Sequence, residues 1–262
     1  MIGLLDSGIG GLTIASELRR LSPGIGFAYV ADAAHFPYGN RSAAEILEWC
    51  DGMARWLVER HGIDVLVLAC NTATAAGIDI LRERWNLPIV AVEPAIKPAA
   101  ARSGSGRIGV LATPRTVASG RIERLVRTHA EGVDVLTQGC AGLAERIEAH
   151  WPELAPLREP LRAWLAPMLD AGVDTVVLGC THYPLARPLV EEIVGPGVAV
   201  IDSGEAVARR ILAVAGDPKP GDAVLLSTGD TSVLERLGGT ITGARIPVGR
   251  LRWSEGRLIE DA

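Results

Sequence analysis

Closely spaced cysteine pairs are missing from this sequence. Its four cysteines, Cys50, Cys70, Cys140 and Cys180, include no CxxC in a chain of 262 residues. That argues against a disulfide framework and against a structural zinc site, and it fits a reducing compartment such as the cytoplasm. No apolar run approaches the roughly 18 residues that a membrane span requires, so no membrane partner is expected. The opening MIGLLDSGIGG has neither a basic start nor a cleavage-site pattern, so no signal peptide is expected. A basic stripe is also missing and the net charge is −5, which makes nucleic acid an unexpected partner. The glycine-rich DSGIGG, Asp6–Gly11, has the spacing of neither a Walker loop nor a GxGxxG turn. What is present is ordinary for a globular protein: 48% hydrophobic and 22% charged residues. The length suffices for one large domain or two modest ones.

Short apolar runs alternate with helical stretches. MIGLLDS, GFAYVAD, VLVLACN and PIVAVEP read as strands, separated by GLTIASELRRL, RSAAEILEWCDGMARWLVERHG and TATAAGIDILRERW. Near-continuous apolar strands are expected where helices cover both faces of a parallel sheet. In the long helix, Ala43, Ile46, Leu47, Cys50, Met53, Ala54 and Leu57 form one stripe, which assigns Cys50 to the core. A second series follows: RIGVLAT, GVDVLTQG, DTVVLGCT and GVAVIDSG. HGIDVLVLACNT aligns with AGVDTVVLGCTH at an offset of 110 residues, and IGLLDS is similar to IGVLAT. An ordered series of such matches points to a duplicated α/β unit more than to chance likeness. The Pro- and Ala-rich EPAIKPAAARSGSG, Glu93–Gly106, reads as the linker. SGEAVARRILAVAG reads as a helix, and AVLLSTGD and GARIPVG as late strands that return to the first half. The expected domains are residues 1–94 with 206–262, and residues 95–205.

Ligands of open parallel sheets bind beyond the carboxyl ends of the strands, so polar residues that directly follow strands are candidates. Four places qualify: Asp6-Ser7, Pro37-Tyr38-Gly39, Cys70-Asn71-Thr72 and Cys180-Thr181-His182. Cys70 ends a strand and precedes a helix, whose unpaired N–H groups and positive dipole end favour a thiolate. Cys180 repeats the arrangement, with Pro184 suited to a first helical turn. A lone cysteine is most often a small buried hydrophobe. Two at matched positions of a repeated unit, each followed by polar residues, favour chemistry instead. Cys140 has no such sequel and reads as structural. Asp6 could cap a tight turn, or hold an ammonium group or orient a thiol. His182 could lie on the surface, or stabilise a thiolate and pass a proton. Two thiols on opposite faces of one carbon could invert it by proton transfer, with no metal and no redox cofactor.

At these residues the sequence resembles the glutamate racemases of the cofactor-independent aspartate/glutamate racemase superfamily. The matching blocks are DSGIGGLT, VADAAHFPYGNRS, ACNTATA, IGVLATPRTVAS, GCTHYPL and IDSGEAVA, in family order. The resemblance implies two pseudo-symmetric, flavodoxin-like parallel-sheet α/β domains with the active site in a cleft between them. It implies that Cys70 takes the α-proton of D-glutamate and Cys180 that of L-glutamate, with Asp6 assisting Cys70 and His182 assisting Cys180. Substrate contacts are implied for Asp6, Ser7, Pro37, Tyr38, Gly39, Asn71, Thr72, Thr113, Thr116, Thr181 and His182, and supporting roles for Asp32 and Glu148. The segment GCAGLAERIEAH before Glu148 departs from the family's apolar, Cys-Pro-containing pattern, which bears on the role of Glu148. The implied activity is interconversion of L- and D-glutamate for peptidoglycan synthesis, without cofactor or metal, by a cytoplasmic homodimer. The alternatives are a racemase of aspartate or a related amino acid, and a non-catalytic binding module that kept the fold.

Overall fold

The computed structural model describes residues 1–216 and 220–261. By internal contact they divide into two compact units, Met1–Val92 with Gly204–Ala262, and Glu93–Ser203. The chain begins β1 (Ile2–Asp6), α1 (Leu12–Leu21), β2 (Phe27–Ala31), α2 (Ala43–His61), β3 (Val65–Leu68), α3 (Asn71–Arg84) and β4 (Ile89–Ala91). The second unit holds α4 (Ile96–Arg102), β5 (Arg107–Ala112), α5 (Pro114–Ala118), α6 (Arg121–His129), β6 (Asp134–Gly139), α7 (Leu143–His150), α8 (Arg158–Asp170), β7 (Thr175–Leu178), α9 (Arg187–Val194) and β8 (Ala199–Ile201). The chain then adds α10 (Gly204–Ala215), β9 (Ala223–Ser227), α11 (Ser232–Thr242), β10 (Val248–Ser254) and β11 (Arg257–Glu260) to the first unit.

The duplication read from the sequence has a topological counterpart. The first sheet has seven strands in the order β11-β10-β9-β2-β1-β3-β4, and the second has four in the order β6-β5-β7-β8. The run β2-β1-β3-β4 thus repeats as β6-β5-β7-β8. All these neighbours are parallel, and β9 joins the first sheet beside β2. Strands β1, β2, β3 and β7 are buried along their whole length, as their composition requires, whereas the edge strand β6 is half-buried to exposed. In α2 the stripe from Ile46 to Leu57 is buried, with Ala43 half-buried at its start. Cys50 is fully buried in that core, and burial raises its thiol pKa far above the ordinary range. A reciprocal capping box starts α2: Ser42 accepts from the Glu45 N–H and the Glu45 carboxylate from the Ser42 N–H. Ser42→Ala removes one of these bonds and lowers stability by about 1 kcal/mol, measured by urea unfolding.

Four elements differ from the sequence reading. The presumed linker contains α4, with Ile96 and Ala99 buried three residues apart. Pro98 is tolerated there because it falls in the first turn, where its N–H would have no intrahelical partner. Only the end of GARIPVG is strand: Gly243 ends α11 in the left-handed region, and β10 begins at Val248, after Pro247, which cannot donate to a ladder. β10 continues through Ser254 and pairs antiparallel with β11, a strand the reading missed. Finally, α3 is broken at Gly77, whose φ of 168° is not helical. A Cβ at that glycine would come within 2.7 Å of the Leu47 side chain, so α2 and α3 pack tightly across the break.

Candidate active site

In each unit, strand register brings the candidate residues together. β1 and β3 are neighbours with Leu5 opposite Leu68, and the Ala69 N–H donates to the Leu5 carbonyl. Asp6-Ser7 and Cys70-Asn71-Thr72 therefore leave the same sheet edge side by side, and all five are buried. In the second unit β5 and β7 stand in the same relation, with Leu111 opposite Leu178 and the Gly179 N–H donating to the Leu111 carbonyl at 2.7 Å. A Cβ at Gly179 would lie 2.8 Å from that carbonyl oxygen, so only glycine allows this approach just before Cys180. Thr113 and Thr116 sit beside Cys180, Thr181 and His182 at that edge, again all buried.

The surroundings of Cys70 come from the DSGIGG turn. The Asp6 carboxylate accepts from the Ser7 N–H at 2.7 Å and from the Gly11 N–H, which holds the turn closed. The Ser7 hydroxyl lies 3.4 Å from the same carboxylate and 3.8 Å from Cys70 Sγ. Ser7 thus lies between the turn-holding carboxylate and the sulfur. Cys70 is the N-cap of α3, but the unbroken helix beyond it ends at Gly77, so its dipole is short. Asn71 Oδ1 is buried with no hydrogen-bond partner, an open acceptor one residue beyond the thiol.

Cys180 has a different partner set. The α-helix expected directly after it is delayed: a 3₁₀ turn, Tyr183–Ala186, comes first and contains Pro184 in its first turn. α9 starts only where Pro188 can occupy its first turn, where a missing N–H costs no bond. Instead of a helix end, the sulfur faces a side chain, with Cys180 Sγ 3.9 Å from His182 Nδ1. His182 Nε2 lies 2.8 Å from Glu148 Oε1 on α7. Burial by itself would depress the His182 pKa, but its hydrogen bonds to Cys180 and Glu148 and their charges raise it well above the usual value. The altered segment before Glu148 still forms α7 and still delivers this carboxylate. Cys140 is buried and its thiol is pushed up to about 12 by burial, which keeps it protonated. Thr113 caps α5, accepting from the Thr116 N–H at 3.2 Å, and the two hydroxyls are 2.9 Å apart.

Pro37 is half-buried and precedes a 3₁₀ turn, Tyr38–Asn40, that packs against α3. Tyr38 is buried in the same cluster as Cys70 and donates to Asp32 Oδ2 at 2.7 Å. Burial, then the Asp32 and Cys50 charges, hold its phenol pKa well above the usual range, so it remains a donor. Its hydroxyl is therefore engaged with Asp32, while the adjoining Gly39 is half-buried. Asp32 is fully buried and also accepts from Thr228, which the sequence reading overlooked. The rule that found the other candidates would have found this one, because AVLLST is another strand followed by a polar residue. Among the described residues, no group of three or more His, Cys, Asp or Glu side chains is placed to hold a metal ion. No described helix is long and apolar enough to cross a membrane.

Known proteins share this sequence and fold. The family model for Asp/Glu/hydantoin racemases matches residues 15–211. A glutamate racemase of Pseudomonas paraeruginosa is 50% identical over 211 residues, 80% of this chain and 79% of the relative. A crystal structure of a Bacillus anthracis glutamate racemase isoform superposes with a TM-score of 0.86 at 31% identity, covering 98% of each chain. The Escherichia coli glutamate racemase, crystallised with L-glutamate and the activator UDP-MurNAc-Ala, gives 0.86 at 32% identity, covering 96% of this chain and 98% of its own. With six sequence blocks in order, two matched strand-end thiols and a shared fold, the chain belongs to the Asp/Glu/hydantoin racemase family.

Proposed function

We propose that this chain interconverts L- and D-glutamate by a two-thiol proton transfer that uses no cofactor. The observation that carries the proposal is the pair of strand-end thiols, each in line with a carboxylate through an intervening group: Cys70–Ser7–Asp6 and Cys180–His182–Glu148. The names of its relatives support glutamate as the substrate.

In this reading the Cys70 thiolate removes the α-proton of D-glutamate, and the α-carbon flattens as the C–H bond breaks. The Cys180 thiol gives its proton to the opposite face, a new C–H bond forms, and L-glutamate leaves. Cys70 is then the thiol and Cys180 the thiolate, so the enzyme is set for the reverse direction. No electron or group is left over, and no redox step is required. The thiols must reach opposite faces of one carbon at short range, which is where positioning supplies much of the acceleration. The α-hydrogen is weakly acidic, so charge on the flattened intermediate needs preorganised donors. The N–H groups near Ser7 and Gly39 and the hydroxyls of Thr72 and Thr181 are suited to this. The open Asn71 Oδ1 is suited to an ammonium N–H, and the Thr113–Thr116 pair to a carboxylate. Asp32 and Glu148 act through Tyr38 and His182 as positioning residues.

The reaction places the chain with cell-wall peptidoglycan synthesis, and the free buried cysteines suit the cytoplasm. A homodimer belongs to the same proposal, and sedimentation would test it. The chemical test is turnover in deuterated water with chiral product analysis. Each glutamate enantiomer is expected to yield the other with deuterium at the α-carbon, and aspartate to react far more slowly. Transfer of the original hydrogen without solvent label, or equal rates on aspartate, would overturn the mechanism or the substrate respectively.

A further inference from the structure

The buried carboxylate of Asp32 receives four side-chain donors from three separate segments of the first unit. Tyr38 donates to Oδ2 at 2.7 Å, and His35 Nδ1 lies 2.9 and 3.1 Å from the two oxygens. Thr228, just past β9, donates to Oδ1 at 2.6 Å, and the Trp253 indole N–H, on β10, donates to the same oxygen at 2.9 Å. The Asp32 backbone N–H is itself tied to the Asp6 carbonyl at 2.8 Å, so the hub is anchored on the strand that carries Asp6. A carboxylate wholly out of water needs such donors, and removing one leaves an acceptor site that no water replaces.

The packing around the hub points the same way. The Thr228 hydroxyl also accepts from the Ala34 N–H at 3.2 Å, and its own N–H donates to the Ala31 carbonyl. A Cβ at Gly229 would lie 3.0 Å from the Ala34 nitrogen, so the loop after β9 is pressed onto the Asp32–His35 segment. The His35 ring stacks on Trp49 with centroids 3.9 Å apart and planes 6° from parallel, and the Trp253 ring lies 5.5 Å away, tilted by 55°. Trp253 in turn rests on Gly52 of α2, where a Cβ would come within 2.7 Å of its ring. Thr228 and Trp253 both lie beyond residue 211, where the family match ends.

We infer that Thr228 and Trp253 are positioning residues for the substrate pocket: through Asp32 they fix Tyr38 and the adjoining Gly39 against the Cys70 edge. The late β9–β11 segment is thereby part of the active site's support, although it contributes no group to the chemistry. The inference rests on the proposed reading for its kinetic consequence, and on the hydrogen bonds alone for its structural one.

The test uses the full chain with Trp253→Phe, which keeps an aromatic ring and loses the N–H, and Thr228→Val, which keeps the shape and loses the hydroxyl. Each is expected to raise KM for glutamate about three- to tenfold, the worth of one hydrogen bond, with kcat within twofold. Thr228→Ser retains a donor and is expected to restore KM. Amide hydrogen exchange across residues 36–41 is expected to quicken in both variants without substrate. In a Tyr38→Phe background the KM effects should vanish, because the route through Tyr38 is already cut. Wild-type KM in folded Trp253→Phe and Thr228→Val, with unchanged exchange, would overturn the inference. So would effects that persist undiminished in Tyr38→Phe. If the wild-type chain fails to racemise glutamate, the functional proposal falls, and the exchange measurement still decides the positioning role.

Discussion

On the proposed mechanism, Cys70→Ser and Cys180→Ser are each expected to reduce racemisation by about 10²- to 10⁴-fold, the usual contribution of a positioned acid or base. Serine keeps the shape of the site but is far too weak an acid to share a proton with carbon at neutral pH. The equilibrium constant between two enantiomers is one, so kcat/KM must fall equally in both directions whichever thiol is changed. The asymmetry appears instead in hydrogen exchange. With Cys180 replaced, Cys70 can still take the proton of D-glutamate and return one to the same face. Deuterium then enters D-glutamate with retention, and L-glutamate is left almost unlabelled. Cys70→Ser gives the mirror result. The checks are mass and chiral analysis of recovered substrate. A single variant that keeps turnover within tenfold of wild type, or labels both enantiomers equally, would sink the two-thiol scheme.

The positions of these thiols were legible in the sequence because strand ends and repeats leave local marks. VLVLACN and TVVLGCT announce a buried parallel strand that stops at a polar edge, and β3 and β7 end within two residues of each cysteine. The repeat was legible for the same reason, and the shared strand order bears it out. What followed Cys180 was not legible. Whether Pro184 begins an α-helix or a 3₁₀ turn depends on Pro188 four residues on, and the helical pattern of the segment is the same either way. The link from Glu148 to His182 spans 34 residues and the links from Asp32 to Thr228 and Trp253 span 196 and 221, so no local pattern could mark them. These are consequences of packing. The same holds for α4, whose proline content reads as a linker until the sheet gives Ile96 and Ala99 something to cover. The long-range links around the candidate thiols were therefore harder to read than the thiols' own positions.

Glu148→Gln tests one of these links. His182 is buried, and burial alone would depress its pKa; its bonds to Cys180 and Glu148 reverse the sign and raise it well above the usual value. His182 Nδ1, 3.9 Å from the sulfur, is placed to return a proton when the thiol must be restored. Glutamine preserves the shape and a hydrogen bond but removes the charge. The His182 pKa then falls, and kcat/KM drops by about 10²-fold in both directions. The alkaline limb of the wild-type pH–rate profile, set by loss of the His182 proton, moves toward neutral pH in the variant. Stability must change with it. A group whose pKa is raised on folding contributes stability that is fully present below its unfolded value of about 6.5 and is lost as pH rises through the folded value. The stability gap between wild type and Glu148→Gln is therefore widest near pH 6 and closes at alkaline pH, as urea unfolding across that range would measure. A gap that widens with pH, or a pH–rate profile that does not move, would mean that His182 is neutral and only holds the sulfur in place.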